Sequence, residues 1–420
     1  MIEIIKADGK AERQKIAAMR ERAAAVGADI ERTVAAIMAD VRANGLTAVQ
    51  AYSRKLDGRE AREISDEELS AAYEACPKEL IAAMEHAAAN IRDYNEKLLA
   101  RSAEWTSPDG GRVGRIVRGL TRVGIYVPGG TAAYPSSVLM NAVPAKVAGV
   151  EEIIMVTPPT ENLNNAVLAA AKIAGVDRVI AVGGAQAVAA LTYGAGFIPK
   201  VDKLVGPGNA YVAAAKRMAY GTLDIDMVAG PSEVLIIADG SANAKYVAAD
   251  LLSQAEHDKL ASAVLLTTSD ALAQEVDREI VRQMGYLSRS AIMEASLRDF
   301  GCAILCRDLD QAAQLANEIA PEHLEIATQD PRSLLPAIRN VGAVFLGEWS
   351  PEPLGDYLAG PDHVLPTSSP ELEFRSGAMS SRIAALLVVD MLFTTLCNKN
   401  YETVSKPLSE SFSQCSKHHL

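Results

Sequence analysis

Two pairs of side chains in the second half of the chain could carry proton or metal chemistry. Glu322 and His323 stand next to each other just before an apolar segment predicted to be a strand. A carboxylate and an imidazole placed there could serve as a general base and a proton shuttle. Gln254 and His257 are three residues apart on a predicted helix, so an amide oxygen and an imidazole share one face and could reach the same metal ion.

A loop further along, residues 355–366, supplies a third group of candidate ligands. It is rich in turn-forming residues and carries the carboxylate of Asp356 and the imidazole of His363. Loops held by a rigid scaffold commonly provide such ligands. Each of the three groups also has an ordinary alternative: a polar helix face, an exposed acid–histidine pair, or a solvated loop.

Three predicted strands in the middle of the chain run into turns that contain glycine and precede helices. The turns are VPGG at 127–130, VGGAQ at 182–186 and VGPGN at 205–209. Glycine lets a ligand approach backbone N–H groups, and helix N-termini favour anions. None of the turns is GxGxxG, and one alone would be an ordinary connection. Because three of them occur along one edge, they favour a nucleotide site.

Alternating strands and helices must position these residues. The first hundred residues are predicted to be helical, with a capping box from Ser65 to Glu68 and a helix from Pro77 towards Leu99. Strands are then predicted in two series, at 122–127, 152–156, 178–182, 203–205 and 234–238, and at 263–268, 302–306, 324–327 and 343–347. Their spacing in the first series, roughly 25 to 30 residues, is typical of βαβ units, so two α/β layers are expected.

Composition limits the class of protein. The chain has 420 residues, with 49% hydrophobic and 22% charged residues, which are ordinary globular values and fit two to three domains. With 41 Lys and Arg against 53 Asp and Glu, the net charge of −12 argues against nucleic acid or an anionic membrane as the main partner.

Targeting and cysteine patterns complete this picture. The charged residues 1–14 do not form a secretory signal, and the apolar stretch 383–396 is interrupted by Asp390 and too short to span a bilayer. The five cysteines form no CxxC pair, so we expect reduced thiols in a cytoplasmic protein.

The chain resembles the histidinol dehydrogenase family in the order and approximate spacing of its motifs, from near residue 1 to about Thr367. The segments that carry the resemblance are GIYVPGGTAAYPSSVLMNAVPAKVAGV, VGGAQAVAAL, VGPGNAYV, AGPSEVLIIAD, DLLSQAEHD, APEHLEI and GDYLAGPDHVLPT. The resemblance implies NAD-dependent oxidation of L-histidinol to L-histidine through the aldehyde, the last step of histidine biosynthesis. It also implies a zinc-dependent homodimer.

Site residues follow from the resemblance, position by position. It implies NAD binding by Tyr126, Gln186 and Asn209, substrate binding by Ser232, Gln254, His257, His323 and Asp356, zinc binding by Gln254, His257 and Asp356, catalysis by Glu322 and His323, and a supporting role for His363.

The expected fold is α/β, with two Rossmann-like parallel-sheet domains, a helical N-terminal segment and an atypical C-terminal helical tail. The N-terminal segment is 1–21. A first α/β domain, formed by 22–125 and 235–366, would carry the zinc and catalytic residues. A second, 126–234, would carry the NAD-binding turns, and 367–420 would be the tail.

The tail departs from the family. In the family the C-terminal segment enters the neighbouring subunit and supplies a zinc histidine and a substrate glutamate. Here residues 374–392 instead resemble the last helix of a sugar-isomerase (SIS) domain of RpiR-type regulators. Cys415 stands roughly where the zinc histidine is expected, and Glu410, His418 and His419 are candidates for restoring the zinc and substrate contacts.

Three functions therefore remain open from the sequence. The chain is a working histidinol dehydrogenase, a related dehydrogenase of another small polar alcohol, or a catalytically impaired fusion without a complete zinc site that binds NAD or a partner. A regulator is not favoured, because the sequence has no DNA-binding motif or basic patch.

Overall fold

The computed structural model describes residues 2–23, 28–108, 110–129, 135–161, 163–227, 232–287, 289–347 and 349–351. Asp356, His363 and the tail 367–420 therefore lie outside the described residues. Among the residues that are described, no helix is both long enough and apolar enough to cross a membrane.

The N-terminal part is mainly helical, as the sequence predicts. Its elements are β1 (Glu3–Lys6), α1 (Ala11–Ala23), α2 (Ala28–Asn44), α3 (Leu46–Asp57), β2 (Arg62–Ile64), α4 (Asp66–Ala75), α5 (Lys78–Leu98), β3 (Ala103–Thr106) and β4 (Arg112–Arg115). The capping box is confirmed, since the Ser65 hydroxyl oxygen accepts a hydrogen bond from the backbone N–H of Glu68 and the Glu68 carboxylate accepts one from the backbone N–H of Ser65. The predicted helix after Pro77 is α5.

The middle region alternates strands with helices. Its elements are β5 (Arg122–Tyr126), α6 (Pro135–Val147), β6 (Glu152–Thr157), α7 (Asn165–Ala174), β7 (Arg178–Ala181), α8 (Gly184–Tyr193), β8 (Lys203–Val205), α9 (Ala210–Ala219) and β9 (Asp224–Ile225). These strands and β2 form one of the two six-stranded sheets, here called sheet two, in the order β2-β7-β6-β5-β8-β9. All its pairs are parallel except β2 with β7.

The last described region builds sheet one. Its elements are β10 (Glu233–Ala238), α10 (Ala244–Ala255), β11 (Ser262–Thr267), α11 (Asp270–Met284), α12 (Ser290–Phe300), β12 (Cys302–Leu305), α13 (Leu309–Ile319), β13 (His323–Ala327), the short 3₁₀ helix Pro331–Ala337 and β14 (Ala343–Leu346). With β1 they form a parallel sheet in the order β1-β12-β11-β10-β13-β14. The nine predicted strands of the two series are all present.

Both sheets are doubly wound. In sheet two the strand order reverses between β5 and β8, and in sheet one between β10 and β13. In open α/β sheets of this kind a ligand usually binds at the carboxyl ends of the strands where the order reverses. The α/β fold with two parallel sheets is thus confirmed, and each sheet offers one such crevice.

The N-terminal helices cover sheet two. Helices α2 and α3 contact α8, and α4 and α5 contact α7 and α6. Buried side chains such as Val34 and Ile91 belong to the cores that these helices share with sheet two. This packing differs from the predicted grouping of 22–125 with the zinc-binding domain. The difference arises because β2 extends the edge of sheet two beside β7, which brings the flanking helices with it.

Three of the five cysteines lie in the described part of the chain. No disulfide joins Cys76, Cys302 and Cys306 to one another there. Cys302 and Cys306 lie in the core beneath sheet one, and burial raises the pKa of each thiol to about 12. They are therefore inert at neutral pH. Cys397 and Cys415 lie outside the described residues.

Candidate functional site

The turns after β5, β7 and β8 converge on Tyr126, the last residue of β5. Its hydroxyl oxygen accepts a hydrogen bond of 2.9 Å from the backbone N–H of Gly184 in the second turn. In the third turn, Gly206 has a φ of +99°, and a Cβ there would lie 2.3 Å from the Tyr126 carbonyl oxygen. Burial raises the pKa of Tyr126 to about 12, so the phenol stays protonated.

The first two turns also meet each other, at Pro158 after β6. A Cβ on Gly129 would lie 3.1 Å from Pro158, and one on Gly183 would lie 2.6 Å from it. Larger residues would push the turns apart, so glycine is required for packing as well as for access by a ligand. Gly130, the last residue of the first turn, lies outside the described residues.

Gln186, in the first turn of α8, is fully buried at the second of these turns. Its Nε2 donates a hydrogen bond of 3.2 Å to Oδ2 of Asp57, the last residue of α3. No described residue donates a hydrogen bond to its Oε1. Burial raises the pKa of Asp57, and the hydrogen bond from Gln186 opposes that rise. Sequence reasoning found Gln186 but missed Asp57, which comes from a distant helix without any motif.

Asn209 caps helix α9 at the third turn. Its Oδ1 accepts hydrogen bonds of 3.0 Å from the N–H of Tyr211 and 3.2 Å from that of Val212. These bonds fix where α9 begins, so the N-terminus of α9 lies at the carboxyl edge of sheet two. A direct contact between Asn209 and NAD stays a prediction.

A buried ion pair beneath the third turn holds Gly206. Lys216 and Asp226 pair with each other, and each side chain is only 3% exposed. Lys216 Nζ also donates to the Gly206 carbonyl at 2.8 Å, while Asp226 Oδ2 accepts from the Gly206 N–H at 2.7 Å. The pair therefore holds both the backbone N–H and the backbone carbonyl of Gly206. The sequence feature that could have indicated this pair is a lysine among the alanines of α9.

The second group of candidate residues lies at the amino edge of sheet one, whereas the glycine turns lie at the carboxyl edge of sheet two. Ser232 immediately precedes β10, and His323 begins β13, the neighbouring strand. Helix α10 runs back from the carboxyl edge of the sheet, so Gln254 at its end and His257 just beyond it return to the same edge. The fold thus brings Ser232, Gln254, His257, Glu322 and His323 to one edge.

The acid–histidine pair is buried there. Glu322 Oε1 lies 3.8 Å from His323 Nε2, and their side chains are 10% and 1% exposed. The Phe345 ring packs edge-on against the imidazole, with 5.9 Å between ring centroids. A charged group at this depth needs a partner, so the pair is suited to proton transfer with a bound ligand. The alternative of an exposed pair does not hold.

Gln254 has an environment that suits a ligand to a metal ion. Its side chain is fully buried, yet neither Oε1 nor Nε2 has a hydrogen-bond partner among the described residues. A buried amide left in this way is costly unless another group satisfies it. No three His, Cys, Asp or Glu side chains converge as a metal site within the described part of the chain. Two of the three predicted ligands fall outside that set, because Gln254 is an amide and Asp356 is not described.

Glu256, between these two residues, was missed by the sequence analysis. It is 3% exposed, and burial raises its pKa to about 7, with Arg289 pulling in the opposite direction. Arg289 also contacts the His257 carbonyl oxygen at 3.4 Å. The segment that carries Gln254 and His257 is therefore tied to the start of α12.

At the carboxyl edge of sheet one, a hydrogen bond links the segments that follow the two strands at the reversal. Asp239 follows β10, and its Oδ2 accepts a hydrogen bond of 3.0 Å from the N–H of Gln329, which follows β13. The two strands on either side of the reversal are thus bridged by a carboxylate, where sheet two carries glycine turns. An anionic dinucleotide is therefore better accommodated at sheet two.

Comparisons with known proteins agree with this arrangement. The family model "Histidinol dehydrogenase" matches residues 20–379, which extends past Thr367. The chain is similar to a protein of that name from Clostridium acetobutylicum, with 51% identity over 366 residues, or 86% of this chain and 85% of the relative. A namesake from Cupriavidus pinatubonensis is 54% identical over 349 residues, or 81% and 78% of the two chains.

A solved structure shows the same similarity. The crystal structure of histidinol dehydrogenase from Elizabethkingia anophelis aligns with a TM-score of 0.82 and 35% sequence identity. The alignment covers 87% of this chain and 85% of that one.

Proposed function

The chain belongs to the histidinol dehydrogenase family, and on this premise we propose that it oxidises L-histidinol to L-histidine through the aldehyde, with reduction of two NAD⁺. This would be the last step of histidine biosynthesis. The observation that carries the proposal is the gathering of Ser232, Gln254, His257, Glu322 and His323 at one edge of sheet one. That edge holds a buried acid–histidine pair and a buried amide without a hydrogen-bond partner among the described residues.

The proton chemistry is assigned to the acid–histidine pair. Oxidation of a primary alcohol requires a base for the hydroxyl proton, and we assign that role to the buried imidazole of His323. The aldehyde must then be hydrated, and Glu322 is assigned to activate the water. The two side chains lie 3.8 Å apart, so the proposed base and the proposed water activator are close enough to act on the same substrate carbon.

Zinc is proposed to be held by Gln254, His257 and Asp356. The buried Gln254 amide, which lacks a hydrogen-bond partner, supports the assignment of that residue. When bound, zinc would hold the imidazole and amine of the substrate and so act as a positioning template. Ser232 lies at the same edge and is assigned to the substrate.

NAD is proposed to bind at the carboxyl edge of sheet two, where Tyr126, Gln186 and Asn209 lie. The convergence of three glycine turns and two helix N-termini supports this placement. When bound, the nicotinamide would accept the hydride. The glycine turns let NAD approach the backbone closely. The Lys216–Asp226 pair holds the turn at Gly206, and Gln186 offers a buried acceptor oxygen.

The yield of NADH tests the proposed function. We expect the purified chain, supplied with zinc, to form two NADH for each L-histidinol consumed and to bind one zinc per chain. NADH formed only from another small polar alcohol would favour the related dehydrogenase. Zinc well below one per chain, with NADH bound but no turnover, would instead identify a catalytically impaired fusion whose tail fails to complete the site.

A homodimer is part of the proposal, and an exposed arm supports it. The arm is the segment 98–120, which contains the two-stranded sheet β3-β4. Every residue of the two strands is exposed, and Trp105 and Ile116 are 56% and 78% exposed. A lone two-stranded hairpin is at best marginally stable in water. The arm carries four arginines and two acidic residues, whereas the chain has a net charge of −12, so a second copy suits it electrostatically.

Replacing Trp105 by Asp is expected to weaken the dimer about tenfold or more, because a large exposed aromatic side chain is a typical interface anchor. Sedimentation equilibrium at several protein concentrations measures the change. Val281→Asp, on the exposed face of α11, is the matched control, since Val281 is 50% exposed but distant in sequence from the arm. Equal dimerisation of both variants would remove the arm from the interface.

The proposal places the enzyme in the cytoplasm, with a small-molecule substrate and neither nucleic acid nor a membrane as partner. The described thiols Cys76, Cys302 and Cys306 support this location, because a reducing compartment maintains free cysteines.

A further inference from the structure

We propose that Asp57 is a positioning residue of the dinucleotide site, which fixes the Gln186 amide so that Oε1 is presented to a hydrogen-bond donor of bound NAD. The donor would be a ribose hydroxyl or a carboxamide N–H. This inference rests on the proposed NAD dependence and assigns a role to a residue outside the motifs.

The hydrogen bond determines the orientation of the amide. An ionised carboxylate can only accept hydrogen bonds, so the Gln186 atom that lies 3.2 Å from Asp57 Oδ2 must be Nε2. Oε1 therefore points away from Asp57. It is buried and has no hydrogen-bond partner among the described residues, which leaves one acceptor to be satisfied by a ligand.

The unsatisfied oxygen lies at the glycine turn itself. A Cβ built on Gly184 would lie 2.6 Å from Gln186 Oε1, so the oxygen occupies the space that a side chain would take. The N–H of Gly184 is already bonded to the Tyr126 hydroxyl. Asp57, Gln186, Gly184 and Tyr126 thus form one connected network at the end of sheet two.

A purely structural role explains Asp57 poorly. A negative charge at the C-terminal end of a helix opposes the helix dipole, and Asp57 is the last residue of α3. Its carboxylate is also half-buried, and burial raises its pKa. Because both effects disfavour the charged form, a neutral residue should be tolerated there. Loss of the charge should therefore change NAD binding without lowering stability.

A double-mutant cycle on NADH affinity tests the assignment. The dissociation constant of NADH is measured by fluorescence titration of the full chain, for wild type, Asp57→Asn, Gln186→Met and the double variant. We expect Asp57→Asn to weaken binding about tenfold. In the Gln186→Met background the same change should have less than about a twofold effect, because the residue acts through Gln186.

Steady-state kinetics and controls complete the experiment. Asp57→Asn should raise KM for NAD while kcat and KM for histidinol change less than about twofold, and its melting temperature should not fall. The control is Glu60→Gln, an exposed carboxylate paired with Arg54, which should bind NADH like wild type. Asn keeps an acceptor oxygen but also offers a donor, so it no longer dictates which Gln186 atom faces it. Should Asp57→Asn fold poorly, Asp57→Ala tests the same contact by removing the acceptor altogether.

Two results would overturn the inference alone: unchanged NADH affinity in the Asp57 variant, or an equal loss of affinity in both backgrounds. A wild-type protein that binds no NADH would overturn the proposed function as well. The two failures are therefore distinguishable.

Discussion

Replacement of His323 by Asn is expected to lower kcat for histidinol oxidation by about 1000-fold. Asn keeps a polar side chain of similar size but cannot accept the hydroxyl proton, and loss of a positioned general base commonly costs a factor of about 10² to 10⁴. His323 is 1% exposed and packed edge-on against Phe345, so bulk water cannot easily replace it. Initial rates of NADH formation at saturating substrate measure the effect.

The matched control is His86→Asn, which removes an exposed histidine from α5 and should change kcat by less than about twofold. NADH affinity and zinc content should be the same in both variants, which separates lost chemistry from lost folding. If His323→Asn kept more than a tenth of the wild-type rate, His323 would not be the base.

Glu322→Gln separates the two oxidations. Because Glu322 is assigned to water activation, the variant should slow the oxidation of the aldehyde more than that of the alcohol. In a single-turnover reaction, the rapid yield of NADH should fall from two towards one per histidinol. Equal slowing of both steps would instead give Glu322 a role in binding or in orienting His323.

Much of the fold could be predicted because its signals are local. The strand runs, the capping box at Ser65 and the helix after Pro77 depend on neighbouring residues, and each is present. The glycine turns were identifiable for the same reason. The motif pairs Gln254 with His257 and Glu322 with His323 share one helix end or one strand start, so their partial geometry follows from the sequence.

What could not be predicted depends on contacts between distant segments. Gln254 and His257 reach the edge that carries Glu322 and His323 because α10 returns to the amino edge of sheet one, and no local pattern reports this. Asp57 meets Gln186 across 129 positions. The packing of α2–α5 on sheet two likewise depends on the edge strand β2, which is only three residues long.

The two sheets show how similar topologies differ in detail. Both sheets reverse their strand order in the same way, but Asp239 bridges to Gln329 in one, whereas Lys216 and Asp226 hold a glycine turn in the other. The proposed division between an NAD edge and a substrate edge therefore depends on a few polar side chains and not on topology.

Asp226→Asn is expected to lower the free energy of unfolding by about 3 to 5 kcal/mol, because it leaves the ammonium of Lys216 buried without its countercharge. Both side chains are only 3% exposed, so water cannot compensate. Urea denaturation followed by circular dichroism measures the change. The matched control is Asp224→Asn, two residues away on β9, which breaks the surface pair with Lys203 at 3.0 Å and should cost about 0 to 1 kcal/mol.

A second variant separates stability from the function of the turn. Replacing both partners, Lys216→Met with Asp226→Leu, removes the buried charges together and should recover much of the stability lost in the single variant. In the double variant the Gly206 N–H and carbonyl lose both side-chain partners. Its NADH affinity should therefore be lower than that of wild type, even though its stability recovers. If the double variant bound NADH like wild type, the ion pair would serve stability alone and the turn would hold its shape through its glycines and the contact with Tyr126.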